Sequence, residues 1–331
     1  MKVIVVLFMA VMALSGCKKQ GDEGQEVWVY TSLYKDTIAS MEPKLKQDFP
    51  DIQVKFFQAG SEEIATKVNA ELIAGGTKAD ILISSDRFWY EEMASSGHLE
   101  EFRPQKVKEI DPSLRHPKGM YTTLSLPVMV MAYNTEAVGE NPPKTFKEMA
   151  EPRWKDQFST GSPLASGTNF TTVAFLSHAY GWEYFKKLQE NNTISQGGNS
   201  AVIRRLQSKE RPVGWVLLEN LLRFQGKDQR LKTVYPEDGV VIHNNVLAIT
   251  KKKKSRENAK KIAEWLFGQK GQEAMVRSYM YSPFPSVKAP QGAPPLSELR
   301  KKSFPWTVEF LEKVVKSRES IKEKFTEIMF Q

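Results

Sequence analysis

The sequence predicts an α/β protein built from doubly wound sheets and divided into two lobes. Short β-branched strands alternate with helices of about ten to fifteen residues, which puts parallel strands beneath covering helices. A chain of 331 residues is long for one hydrophobic core and divides naturally into two. Hydrophobic content of 40% and charged content of 26% are ordinary for a globular protein.

The elements follow in order. Val27-Trp28-Val29-Tyr30 is β-branched and aromatic, a buried strand. Asp36 to Phe49 reads as a helix interrupted by Pro43. Ile52 to Phe57 alternates as a strand. Ile64, Val68, Leu72 and Ile73 recur at helical spacing until Gly75-Gly76 stops them, and Ile81-Leu82-Ile83 is a third buried strand. In the middle, Leu126 to Tyr133 is a long apolar strand. Thr171 to Tyr180, Trp182 to Leu188 and Ala201 to Leu206 are helical, and Val213 to Leu218 is another buried strand. Val240 to Ile249 is strand-like. Ala259, Ile262, Ala263 and Leu266 then form the apolar stripe of a helix between Ser255 and Gly268. Pro283 to Pro295 is a surface excursion, and Trp306 onward is one or two helices docking on the outside.

The start of the chain is not part of this fold. Lys2, the apolar run Val3 to Leu14 and the small residues before Cys17 have the form of a secretory signal. The run is too short to span a bilayer, which needs about twenty residues. Ala13-Leu14-Ser15-Gly16-Cys17 resembles the lipobox of bacterial lipoproteins. That resemblance implies removal of residues 1–16, lipidation of Cys17 and a polar tether over residues 17–25. The protein is then exported to the periplasm and touches a membrane only through its lipid. Cys17 is the single cysteine, so no intramolecular disulfide forms and core burial supplies the stability.

The net charge of +8 derives from surface-type lysines, including Lys251 to Lys254. No aromatic stacking residues are interleaved with that run, so it reads as a solvated loop and predicts no nucleic-acid partner. A mildly positive field helps collect small anions. No nucleophile elbow, zinc-protease helix, phosphate loop or dinucleotide fingerprint occurs, and His98, His116, His178 and His243 are scattered. The expectation is a binding protein without enzymatic activity, metal or cofactor.

Small polar residues recur instead where strands lead into helices: Ser32, Gly60-Ser61, Ser84-Ser85, Ser166-Gly167-Thr168 and Gly198-Asn199-Ser200. Ligands of open α/β sheets bind at the carboxyl ends of strands, where the free amides of helix starts face the crevice. Serine and threonine also precede helices simply as caps, and the sequence leaves both readings open.

Val29-Tyr30-Thr31-Ser32, Gly60-Ser61, Ala79-Asp80-Ile81-Leu82, Ala132-Tyr133-Asn134-Thr135, Ser166-Gly167-Thr168, Gly197-Gly198-Asn199-Ser200 and Tyr235-Pro236-Glu237-Asp238-Gly239 together resemble bacterial periplasmic solute-binding proteins of the ferric, phosphonate and sugar-phosphate group. The resemblance implies the type II periplasmic-binding-protein fold, with crossover strands joining two lobes. The first lobe takes 26–131 and 240–331, the second 132–239. It further implies a monomer that closes on a small anionic solute and delivers it to the permease of an ABC importer. Ser32, Gly60, Ser61, Ser84, Ser85, Ser166, Gly167, Thr168, Gly198, Asn199 and Ser200 are the expected anion contacts, with Tyr34 and Glu219 setting the remaining specificity. Ferric binders of the group carry paired tyrosines where this chain has Glu219 and Asn220. A phosphate- or phosphonate-bearing solute is the first expectation. Ferric iron, a sensing lipoprotein and a hydrolase are the alternatives.

Overall fold

A computed structural model describes residues 26–252 and 257–330. The signal segment, Cys17 and the tether lie outside the described residues, as do Lys253 and Lys254. In chain order the first elements are β1 (Glu26–Thr31), α1 (Lys35–Asp48), β2 (Gln53–Gln58), α2 (Ser61–Ile73), β3 (Ile81–Ser84), α3 (Arg87–Ser95), β4 (Leu99–Glu100) and β5 (Thr122–Ser125). The middle of the chain forms β6 (Val128–Asn134), α4 (Thr135–Val138), β7 (Phe158–Thr160), α5 (Gly167–Tyr180), α6 (Trp182–Glu190), β8 (Ile194–Ser195), α7 (Asn199–Ser208), β9 (Val213–Leu217), α8 (Leu218–Gln225) and β10 (Leu231–Val234). The rest is β11 (Val241–Ile242), β12 (Asn245–Thr250), α9 (Glu257–Phe267), α10 (Gln269–Arg277), α11 (Leu296–Arg300) and α12 (Val308–Phe330).

Two mixed sheets flanked by helices result. The first has the order β2-β1-β3-β12-β4 with β5 also on β12; the second has the order β10-β6-β9-β7-β8 with β11 on β6. The winding is parallel only where βαβ units build it, β2-β1-β3 and β9-β7-β8. The crossing strands β12 and β6 run antiparallel to their neighbours because each enters from the other lobe. Strands β3, β9 and β12 are buried along their whole length, which explains their unbroken apolar text. Trp215 in β9 is a core residue, edge-on to Phe158 at 5.3 Å and Phe146 at 5.9 Å.

Pro43 does not end α1. It lies on the exposed face, while Ile38, Met41 and Leu45 bury the opposite stripe against the first sheet. The expected strand from Val240 to Ile249 is broken in two at His243-Asn244, where the chain crosses between lobes. There the His243 amide donates to the Pro127 carbonyl at 2.8 Å, tying the two crossings together.

The terminal region differs from the expected lobe assignment. The whole of β6 from Val128, and β11 with it, belong to the second sheet. Helix α12 buries Phe310, Val314 and Phe325 among α5 and α6 residues instead of docking on the first lobe alone. Apolar contact decides this. Phe310 stacks on Phe175 with ring centres 4.1 Å apart, and Phe325 meets Phe185 at 5.6 Å. Helix α12 kinks at Ser317.

Phe310→Ala should cost about 3–5 kcal/mol, the usual penalty for removing a fully packed aromatic ring. Equilibrium denaturation measures it, and a loss below about 1 kcal/mol would contradict a structural role for α12.

Candidate functional site

The carboxyl edges of both sheets face one another across a cleft of about 220 Å³. The turn after β1 supplies Ser32, Leu33 and Tyr34. The turn after β2 supplies Gln58 to Ser61, and the turn after β3 supplies Ser85. Opposite them stand Ala165, Ser166 and Thr168 at the start of α5, and Gly198, Asn199 and Ser200 at the start of α7. Leu217, Glu219 and Asn220 stand at the start of α8. Pro127 and Asn245, from the two crossings, form the floor. The walls approach closely: a Cβ on Gly60 would lie 2.9 Å from the Ala165 carbonyl oxygen, and one on Gly167 would lie 2.8 Å from Asp86 Cβ. Both positions need glycine for clearance between lobes, not for an unusual φ.

The helix starts facing the cleft lack side-chain caps. Helices α1, α2, α5, α7 and α8 begin at Tyr34, Gly60, Ser166, Gly198 and Leu217, and none of these residues makes a side-chain cap hydrogen bond. The first amides of a helix have no partner within it and must find one elsewhere. Ser166 is the telling case. Its hydroxyl pairs with the Thr168 hydroxyl at 2.9 Å instead of capping its own helix. By contrast Asp86 caps α3, accepting from the Trp89 amide at 3.3 Å, so that end has a side-chain acceptor of its own. The Ser61 and Ser85 hydroxyls meet at 2.9 Å. Asn199 donates to Thr168 Oγ1 at 3.3 Å, while its buried Oδ1 has no hydrogen-bond partner.

Eleven of the thirteen residues expected from the sequence to contact ligand line this cleft: Ser32, Tyr34, Gly60, Ser61, Ser85, Ser166, Thr168, Gly198, Asn199, Ser200 and Glu219. Two do not. Ser84 belongs to β3 and points away, its hydroxyl donating to Tyr90 Oη at 3.3 Å. Gly167 packs against Asp86 behind the wall. Asn245 was not anticipated, and the sequence marks Asn220 only as the position matching a ferric-binder tyrosine, not as an expected contact. Asn220 required recognition of α8, whose eight residues follow β9 without a turn signal, and Asn245 required knowledge of the crossing.

No lysine, arginine or histidine is among the residues lining the cleft. Among the described residues Glu219 is its one carboxylic acid. Buried to 1% exposure, its carboxyl is pushed up to about 7, chiefly by loss of water. The Tyr34 hydroxyl, raised well above its ordinary value by burial, donates to Asn220 Oδ1 and lies 3.4 Å from Glu219 Oε1. The Arg223 guanidinium stacks on the Tyr34 ring, 4.1 Å from its centre. The site therefore offers backbone and hydroxyl donors on most sides and one acid–phenol pair at a single corner. Larger grooves elsewhere, such as that of about 680 Å³ between residues 108–112 and 281–300, lack such convergence of helix starts.

Comparison with known proteins agrees with the architecture. The chain is 24% identical over 302 residues to Iron uptake protein A1 of Synechocystis sp., covering 80% of this chain and 79% of that one. Its fold is similar to that of the periplasmic binding protein AfuA from Actinobacillus pleuropneumoniae, solved with exogenous fructose-6-phosphate bound (TM-score 0.81, 20% identity, 92% of this chain and 98% of that one). It is likewise similar to iron-bound HitA from Pseudomonas aeruginosa (TM-score 0.77, 18% identity, 91% and 99%). A model of bacterial extracellular solute-binding proteins matches residues 76–310, more than half of the chain, and the protein belongs to that family.

Proposed function

We propose that this protein captures a small organic anion bearing a phosphate, phosphonate or similar oxyanion. The lobes close on the solute and present it to the permease of an ABC importer, without chemical turnover. The observation that carries this reading is the set of five helix starts without an N-cap side-chain bond around a cleft that, among the described residues, is lined by no cationic side chain. Each helix end contributes about 0.3–1 kcal/mol towards an anion, and each hydrogen bond to a charged group about 1.5–3 kcal/mol. Several together suffice without lysine or arginine. Ser61, Ser85, Ser166, Thr168, Asn199 and Ser200 add donors beside the amides, and Glu219 with Tyr34 faces the uncharged part of the solute. The likeness to AfuA, with its bound sugar phosphate, supports the same class. Attachment through Cys17 would keep a monomer near its permease.

Ferric iron is the second reading. The pairing of Tyr34 with Glu219 and the relative named Iron uptake protein A1 favour it. Against it stand two features of the chain. Tyr34 must lose a proton that burial holds tightly, and no group of three or more His, Cys, Asp or Glu gathers among the described residues.

A thermal-shift screen against hexose phosphates, phosphonates, orthophosphate and ferric salts separates these readings. An oxyanion compound at a hundred times its dissociation constant should stabilise by about 2.7 kcal/mol, and Thr168→Val or Ser200→Ala should remove most of that shift. Stabilisation by ferric salt alone, with a visible tyrosinate absorption band, would sink the oxyanion reading.

Glu219 also predicts a pH dependence. Its folded value of about 7 lies above the ordinary 4.5, so the folded state binds the proton more tightly than the unfolded one. The associated stability is fully present below pH 4.5 and is lost as pH rises through 7, amounting to about 3 kcal/mol. Glu219→Gln should flatten that part of the stability–pH curve. An unchanged curve would show that Glu219 does not titrate in this range.

A further inference from the structure

Behind the cleft lies a buried ion cluster to which the binding reading gives no task. Arg318, one residue past the kink of α12, is 7% exposed. Its Nε donates to Asp86 Oδ2 at 2.9 Å, and its Nη2 donates to the same oxygen at 2.5 Å and to Glu62 Oε2 at 3.0 Å. Lys322, one turn later, reaches Glu62 Oε2 at 2.7 Å. The Phe170 ring of α5 lies beneath both cations, at 5.6 and 5.5 Å. Asp86 and Glu62 stand at the starts of α3 and α2, both first-lobe helices. The rest of α12 is bedded by aromatic side chains on the second lobe. The cluster thus joins the lobes, directly behind the point where Gly167 meets Asp86 and one residue from Ser85 in the cleft wall.

We propose that Arg318 is a positioning residue for ligand capture: through Asp86 and Glu62 it holds the lobes in the closed arrangement and raises the affinity of the cleft without touching the solute. Parting the lobes must withdraw Phe88 of α3 from the second-lobe aromatic cluster and either strip α12 from its aromatic bed or break these ion pairs. The ion pairs are the polar, directional part of that contact. Desolvation of such groups opposes their attraction, but here the guanidinium forks onto Asp86 and Glu62 across the lobes, Lys322 adds a second cation on Glu62, and the exposed Glu319 of α12 pairs with Arg318 Nη1 at 2.7 Å. Affinity follows because the apparent dissociation constant is the intrinsic one divided by the fraction of molecules in the competent state. Arg223 makes a second link between lobes, from α8 to Asp36, Thr37 and the Ser278 carbonyl. Its partner Asp36 is 67% exposed, although Arg223 itself is 15% exposed.

Small-angle X-ray scattering from purified protein without added solute tests the proposal, so its outcome does not depend on which ligand class is right. Arg318→Gln should enlarge the radius of gyration with an unchanged far-ultraviolet dichroism spectrum and a cooperative melt. Arg318→Lys should recover part of the compaction. A radius in Arg318→Gln equal to that of wild type overturns the proposal, whether both are compact or both expanded. Should Arg318→Gln not fold, Lys322→Gln removes one arm of the cluster at a less buried site. It should give a smaller expansion, and no expansion there is equally fatal.

Discussion

A peptide amide that begins a helix has no partner within it, and in a narrow cleft little water can serve instead. That constraint underlies this molecule. Five helices start at one cleft, and the residues before them offer no side-chain cap: Gly60 and Gly198 have no side chain to offer, Leu217 has no side-chain oxygen, Tyr34 turns its hydroxyl to Asn220, and Ser166 turns its own to Thr168; in α1 the Thr37 amide is taken instead by Asp36 Oδ1 at 2.8 Å. Where the first lobe does cap a helix, at Asp86, the same carboxylate is also committed to Arg318.

Positive potential from amides differs from that of lysine in being fixed. On the proposed reading, the donors need no reorganisation when an anion arrives, and no cation must be desolvated. Loss of water makes a bare carboxylate costly at Glu219 and pushes it up to about 7, even though nearby amides, Arg223 and Tyr34 pull the other way. A protonated Glu219 beside Tyr34 gives the cleft a polar corner without opposing the donors around it.

The two lobes meet through side chains of opposite character. Within the cleft, glycine clearance at Gly60 and Gly167 lets backbone approach backbone. Behind it, Phe88 from α3 enters the second-lobe aromatic cluster, 5.7 Å from Phe170 and 6.1 Å from Phe310, and the Arg318 ion pairs lie alongside. The terminal helix therefore bears on both lobes, and any motion between them must involve it.

The sequence by itself determined the strands and helices whose apolar residues repeat with a clear period: β1, β2 and β3, helices α2, α5 and α9, and the buried strand β9. It also located the small polar residues at the strand-to-helix turns, because glycine and hydroxyl residues there follow from local backbone chemistry. Three things were decided only by tertiary structure. The short helix α8 and the residue Asn220 have no local signal, since Leu218 continues the apolar text of β9. The crossing at His243-Asn244 looks like uninterrupted strand, because both of its halves are buried, in different sheets. Ser84 and Gly167 read like their neighbours, yet the alternation of side chains along β3 turns Ser84 to Tyr90, and the approach of Asp86 excludes Gly167 from the cleft wall. Local sequence specifies what a residue can donate. Which cavity that donor faces depends on contacts between residues far apart in the chain, such as Arg318 with Asp86, and these exist only once the lobes have come together.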